Sequence, residues 1–293
     1  MTAAAAFAVT TAPVTAQPMA KAPLHQALDG LMRLGAVEPF GRPLVMESQV
    51  DGAQLGAVLE GLVERPFRDV RTALANLNQW CAVLILHINN KGCSVTAAPR
   101  PGLALKVGRR YDQPADQAFQ IDFGYQVLKD SATELSVRLD APSGPMGTSN
   151  YGIHLDAMPA GATRTALRLT YSYRQSNLTG WAIDVYMSTV GRGKVGFSRV
   201  RQPGSEATEP VAGMRGLMER NLMRYFLAID AAAATPAAAG PDAYARRLND
   251  WFASTERYPR QLHEIDLPTY LSYKRTLDAV GIVPGTPPTG RAP

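Results

Sequence analysis

What this 293-residue chain lacks narrows its class before anything it contains. No run of apolar residues reaches roughly 18, so no helix is expected to span a membrane. Cysteine is down to two residues and histidine to four, with no CxxC pair, and that composition builds no convincing zinc site. The charge is nearly balanced, since 30 Lys and Arg against 25 Asp and Glu leave +5. That is too little for a dedicated nucleic-acid surface, so no nucleic-acid partner is expected. No internal repeat is present. Hydrophobic residues make up 46% and charged residues 19%, the balance of a globular chain long enough for a sizeable core.

The N-terminus is read apart from the fold. Ala3 to Val9 is a short apolar stretch, and Val14-Thr15-Ala16 before Gln17 supplies the small residues of a signal-peptidase site. The first basic residue is Lys21, so the charged n-region of such a signal is missing. Residues 1–20 are taken as a leader or signal-like segment, and a periplasmic or secreted protein is expected. The two cysteines fit that compartment. Cys81 and Cys93 flank the apolar run Ala82–Ile88 and the turn-like Asn89-Asn90-Lys91-Gly92, so a local disulfide is one reading. Closing so short a loop would contribute about 3 kcal/mol. Two reduced, buried thiols acting as small hydrophobes are the other reading.

Periodicity supplies the architecture. Leu24, Leu28, Leu31 and Leu34 recur at steps of three and four, which predicts a helix over 24–37 closed by Gly35, Pro39 and Gly41. Asp51-Gly52 within Leu44–Val63 is a hairpin signal. Pro66 opens a helical segment in which Phe67, Val70, Leu74 and Leu77 line one side. The apolar run after Trp80-Cys81 is too short to assign as a helix. From Leu103 to Arg174 the period becomes two. Leu103–Val107, Phe119–Val127, Leu135–Leu139, Tyr151–Ala157 and Leu167–Tyr173 alternate between short turns. Such strands make a twisted antiparallel meander with one apolar and one wet face. The wet face carries Arg138, Asp140, His154, Asp156, Arg168 and Arg174. Helical patterns return at Leu178–Val190, at 212–233, at Tyr244–Ser254 and at Pro268–Val280. The fold class expected is α+β, a single domain over 21–283 with extra C-terminal helices. The Pro- and Gly-rich tail over 284–293 is expected to be disordered.

The order of hairpin, Pro-started helical clip, meander and long helix resembles the START-like (SRPBCC) superfamily with its helix-grip fold. The segment Glu64-Arg65-Pro66-Phe67-Arg68-Asp69-Val70-Arg71-Thr72-Ala73-Leu74 is similar to that family's strand-to-helix passage, with Trp80 following the clip. The likeness covers residues 44–233. It implies a twisted antiparallel sheet wrapped on a long C-terminal helix that lines a ligand cavity. Trp80-Cys81, Gly191-Arg192-Gly193-Lys194-Val195-Gly196-Phe197 and Glu219-Arg220-Asn221 also resemble exported proteobacterial proteins, a likeness that implies no activity. Residues 178–200 and those beyond the long helix exceed a minimal helix-grip domain. They would cap the cavity or fill it.

No catalytic signature survives inspection. Gly191 to Gly196 spells GxGxxG, but no βαβ unit surrounds it, so it is read as a helix-ending, flexible or closely packed turn. His263-Glu264 lacks the second histidine of a zincin. His154 and Asp156 point the same way from one strand and would suit an acid–base pair, although cross-strand charge pairing accounts for them more simply. His87 lies in an apolar run near Trp80 and is read as an enclosed polar group. Asn221 and Tyr225 follow Leu217 at steps of four, along the flank of the apolar stripe on the long helix.

Implied by the helix-grip resemblance is a mostly apolar pocket needing no metal and no cofactor. Its expected binding set is Trp80, His87, Tyr125, Tyr151, Tyr171, Tyr173, Trp181, Asn221 and Tyr225. Arg192, Lys194, Phe197, Arg199 and Arg201 form a basic loop whose exposed aromatic would touch an anionic membrane surface; an ordinary solvated loop is the plainer reading. The function expected is non-catalytic binding or transport of a hydrophobic, lipid-like small molecule in the periplasm. The alternatives are a cyclase- or hydrolase-like enzyme using His87 or Asn221, and a structural protein with a filled core.

Overall fold

The structure is a computed structural model and describes residues 22–97, 100–176, 193–201, 204, 206–235 and 242–279. Helix α1 (Leu24–Arg33) leads into the hairpin of β1 (Leu44–Asp51) and β2 (Gln54–Val63). Two short helices follow, α2 (Phe67–Leu74) and α3 (Leu77–Leu84). Then come β3 (Asn90–Thr96), β4 (Gly102–Val107), β5 (Phe119–Asp130), β6 (Leu135–Ser143), β7 (Ser149–Pro159) and β8 (Thr165–Arg174). A ribbon of β9 (Arg199–Arg201) and β10 (Thr208–Pro210) precedes the long helix α4 (Gly213–Ala234). Helices α5 (Ala243–Thr255), α6 (Pro259–Leu262) and α7 (Leu267–Ala279) complete the described chain.

Strands β1 to β8 form one antiparallel sheet in the order β1-β2-β8-β7-β6-β5-β4-β3. From β3 to β8 each strand pairs with its successor, and the first hairpin joins the far side through β2 and β8. The alternation read from the sequence sets the faces: Leu135, Val137, Leu139 and Ala141 are buried while Asp140 between them is exposed. The Asp51-Gly52 signal becomes a two-residue turn, with Asp51 paired to Gln54 and Gly52 at the φ of 54° that a primed turn needs. Helix α4 packs against β1, β2 and β8 from the sheet and against α2, α3 and α5. The fold is α+β and helix-grip.

The structure departs from the sequence reading in places. The outer sheet face is not wet throughout. Leu62 and Ala166 on it are sealed by Leu24 and Leu31 of α1. On the same face Arg168 donates from Nε to Glu60 Oε1 at 2.7 Å, a buried ion pair. The helix expected from Pro66 through Leu77 breaks after Leu74, and Leu77 begins a second helix, Leu77–Leu84, that takes in the run after Trp80-Cys81 left unassigned from sequence. Asn76 caps it by accepting the Asn78 N–H at 2.9 Å, and Trp80 to Leu84 are all buried. Five consecutive buried residues cover every side of the last turn and show no apolar stripe, so the period is hidden. Asn90, read as part of a turn, begins β3. Helix α1 stops at Arg33, short of residue 37, because Leu34 turns extended ahead of Gly35. The Leu178–Val190 helix, Trp181, Arg192, the leader and the tail lie outside the described residues.

Candidate functional site

The site is framed by the α2–α3 clip. Cys81 and Cys93 form a disulfide with Cα atoms 5.3 Å apart, which staples α3 to the edge strand β3. The buried Trp80 indole donates to Leu74 O at 2.7 Å, and the Tyr125 hydroxyl donates to Ala75 O at 2.9 Å. Both therefore serve the open carbonyls at the end of α2. Tyr151 and Thr148 share a hydrogen bond of 2.7 Å. These members of the expected binding set have their polar atoms engaged within the fold.

His87 stands in the turn between α3 and β3. Its Nδ1 accepts the Asn89 N–H at 3.2 Å, which assigns the proton to Nε2, 3.4 Å from Asn221 Oδ1 on α4. Burial first, then the charges of Arg224 and Lys274, hold the imidazole pKa well below its usual 6.5. The neutral ring stacks on Tyr225 of α4 with centroids 5.1 Å apart. Tyr225 meets Tyr171 edge-on at 6.5 Å, Tyr171 lies 5.8 Å from Tyr173, and Tyr173 stacks on Tyr151 at 5.2 Å. A continuous row thus runs from Asn221 across α4 to the inner face of β8 and β7. It joins His87, Tyr151, Tyr171, Tyr173, Asn221 and Tyr225 as the sequence grouped them.

Within the row some polar atoms are open. Among the described residues, the hydroxyls of Tyr171 and Tyr173 and the amide nitrogen of Asn221 have no hydrogen-bond partner, and none of them is sealed from a water-sized visitor. Asn221 Oδ1, by contrast, also receives Arg224 Nη1 at 3.4 Å. Burial pushes the pKa of both tyrosines up, so each stays a phenol able to donate and to accept. Tyr171 and Tyr225 lie deep yet keep part of their surface accessible.

Sequence reasoning missed the residue that holds His87 in place. Lys274 of α7 is 1% exposed and donates to Ile85 O and His87 O at 2.7 Å and to Asn90 O at 2.9 Å. Burial presses its ammonium pKa down. Three carbonyls, from the end of α3, the turn after it and the start of β3, match its three N–H groups and oppose that pressure. Tyr270, one turn earlier, donates to Leu86 O at 2.8 Å. The signal was there: Lys274 lies four residues after Tyr270 and three before Leu277, on one side of the helix expected over Pro268–Val280.

The basic loop is corrected. Phe197 is 1% exposed, stacked on Phe40 at 5.5 Å and edge-on to Tyr258 at 5.4 Å, so it offers no aromatic to a membrane. Its backbone N–H and that of Ser198 donate to Glu219 Oε2 at 2.7 and 2.8 Å. Ser48 donates to Oε1 at 2.5 Å, joined there by the Ser198 hydroxyl. A Cβ on Gly196 would stand 2.5 Å from Glu219 Oε2 and 2.6 Å from Val211, which makes this the closely packed turn. Lys194 donates to His263 O, Arg199 to Thr208, and Arg201 pairs with Glu206 at 3.0 Å.

On the outer face Ser136 Oγ lies 3.0 Å from His154 Nε2 and 2.8 Å from Asp156 Oδ1, while that carboxylate lies 3.3 Å from the same ring nitrogen. A charge-relay arrangement needs serine and carboxylate on opposite nitrogens, so this is a local polar network. No cluster of metal-ligating side chains occurs among the described residues.

No protein-family model matches the chain, and no curated protein is similar to it in sequence. Solved structures with a related arrangement include a START superfamily protein from Mycobacterium smegmatis, at TM-score 0.32 and 12% identity over 50% of this chain and 88% of that one. Another is the Zhui aromatase/cyclase from Streptomyces sp. R1128, at TM-score 0.31 and 15% identity over 47% and 73%. A third is norcoclaurine synthase from Thalictrum flavum, at TM-score 0.33 and 12% identity over 49% and 90%. No activity passes to this chain from likenesses at that level.

Proposed function

We propose that this protein binds or carries a hydrophobic, lipid-like small molecule without transforming it, between the sheet and the Leu217–Asn221–Tyr225 flank of α4. The carrying observation is the pair of phenols, Tyr171 and Tyr173, set among aromatic rings with hydroxyls that no described residue satisfies. Both hydroxyls are free of bonds to described residues yet reachable from outside, so a polar group on a bound molecule can be received there in place of water without breaking a bond within the fold. Aromatic walls with few polar groups suit an apolar ligand bearing one or two polar substituents. Binding is favoured over catalysis because the row holds no ready acid or base: His87 is neutral and engaged at both nitrogens. Trp181, from the segment outside the described residues, stays in the proposed binding set. The disulfide supports an oxidising compartment, the periplasm or the cell exterior.

Native mass spectrometry of protein purified from its own cells, followed by organic extraction, tests this. The expected result is a co-purifying hydrophobic molecule that is lost from Tyr171→Trp, a substitution that fills the space. Protein that carries nothing under several growth conditions, and takes up no hydrophobic dye, overturns the reading.

A further inference from the structure

A cavity of about 570 Å³ shares no lining residue with the tyrosine row. One wall is rigid. Arg42 binds Asp230 of α4 at 3.1 Å, donates to Leu62 O at 2.7 Å, and lies 4.9 Å over the Phe226 ring. The loop before β1 is folded on itself, with the N–H groups of Phe40 and Gly41 both on Val37 O at 2.7 and 2.9 Å. Tyr258 donates to Phe40 O at 2.7 Å, which ties that loop to the α5–α6 turn. The wall is thus organised before any ligand arrives.

The charges around it are distinctive. Arg42 and Asp230 neutralise each other, which leaves Glu38, Glu64, Arg65 and Arg257 lining the space without an ion pair among the described residues. All four are exposed enough to meet solvent. A simple anion would meet two carboxylates as well as two guanidiniums, and a simple cation the reverse. A molecule carrying both signs can pair with residues of each charge. Cavities of this size hold small molecules of peptide or head-group dimensions.

We propose that this cavity is a second binding site, taking a zwitterion of di- to tripeptide size with an oxyanion at one end and an ammonium at the other. Arg65 and Arg257 receive the oxyanion, and Glu38 and Glu64 the ammonium. The same chemistry is offered by a free peptide and by a phosphoethanolamine head group.

Isothermal titration calorimetry with trialanine and with glycerophosphoethanolamine tests the site. Saturable binding of at least one probe is expected, weakened roughly tenfold or more by Arg257→Ala and by Glu38→Gln, the loss of one charge-assisted contact. N-acetyl-trialanine and trialanine amide, each missing one pole, should lose as much. Arg199→Ala, outside the cavity, should change nothing, and Tyr171→Trp should leave this binding intact whatever it does to the interior ligand. Co-sedimentation with phosphatidylethanolamine vesicles, lost in Arg257→Ala, assigns the site to a lipid head group; binding of trialanine alone assigns it to a free zwitterion. Absence of binding by both probes at millimolar concentration overturns the proposal. So does binding that the one-pole analogues match or that the substitutions leave unchanged in a protein of unaltered melting temperature.

Discussion

Glu219 and Tyr171 are both polar groups brought inside this fold, and they are treated in opposite ways. The carboxylate accepts from two backbone N–H groups and two hydroxyls, so the loop carrying Phe197 is fixed to α4 through it. The phenol sits among the rings of Tyr151, Tyr173 and Tyr225 with its oxygen open. Both interiors have low dielectric, where a hydrogen bond counts for more and a missing one costs more. Engaged polar atoms hold the structure; open ones are left over for the ligand of the proposed function.

The largest effect should come from the engaged side. Glu219→Ala leaves two backbone N–H groups and two hydroxyls without their acceptor, and a loss of about 3–5 kcal/mol in urea-unfolding stability is expected. A loss under about 1 kcal/mol would break the contrast. Next comes the clamp on His87. Lys274→Met strips three buried carbonyls, and Cys81→Ala with Cys93→Ala removes the neighbouring staple. Each should cost about 3 kcal/mol by the same measurement.

A matched pair of conservative changes sharpens the comparison further. Tyr125→Phe removes the bond to Ala75 O and should cost about 1 kcal/mol. Tyr171→Phe removes a hydroxyl with no partner, so stability should hold or rise slightly while affinity for the interior ligand falls. Equal losses in the two variants would mean that the Tyr171 oxygen is engaged after all.

The smallest effect is a pH slope. His87 has a folded-state pKa depressed below its usual 6.5, so the unfolded chain takes the proton first. Stability should therefore be unaffected by this group above pH 6.5 and fall as the pH drops below it. His87→Gln should flatten that part of the profile in unfolding curves taken at successive pH values.

Much of the fold was legible because its signals are local. Period-two runs placed β4 to β8, Asp51-Gly52 placed the first hairpin, and a wide apolar stripe placed α4. What stayed hidden depended on partners far along the chain. Helix α3 is buried all round from Trp80 to Leu84, so no pattern betrays it. Phe197 stands among Lys194, Arg199 and Arg201 and reads as a surface residue, yet Phe40 and Tyr258 enclose it. Glu219, Arg220 and Arg224 read as the polar side of α4, but that helix is nearly enclosed, and all three are buried. Of the candidate site, the sequence named the aromatic members. It had no means of showing that Trp80, Tyr125 and Tyr151 are engaged while Tyr171 and Tyr173 are open, since that depends on single hydrogen bonds.

The reach of Lys274 has a consequence for how the molecule comes together. The carbonyls at residues 85, 87 and 90 receive a donor that lies 184 to 189 positions further along. A chain made from its N-terminus presents that turn, with its histidine, long before α7 exists. Local hairpins can zip first, because closing short loops is fast, but the turn stays unfinished until the last described helix docks. Ribosome-released fragments ending before residue 274 should therefore linger as late, incomplete forms, and completion of the chain becomes the event that sets His87 against α4.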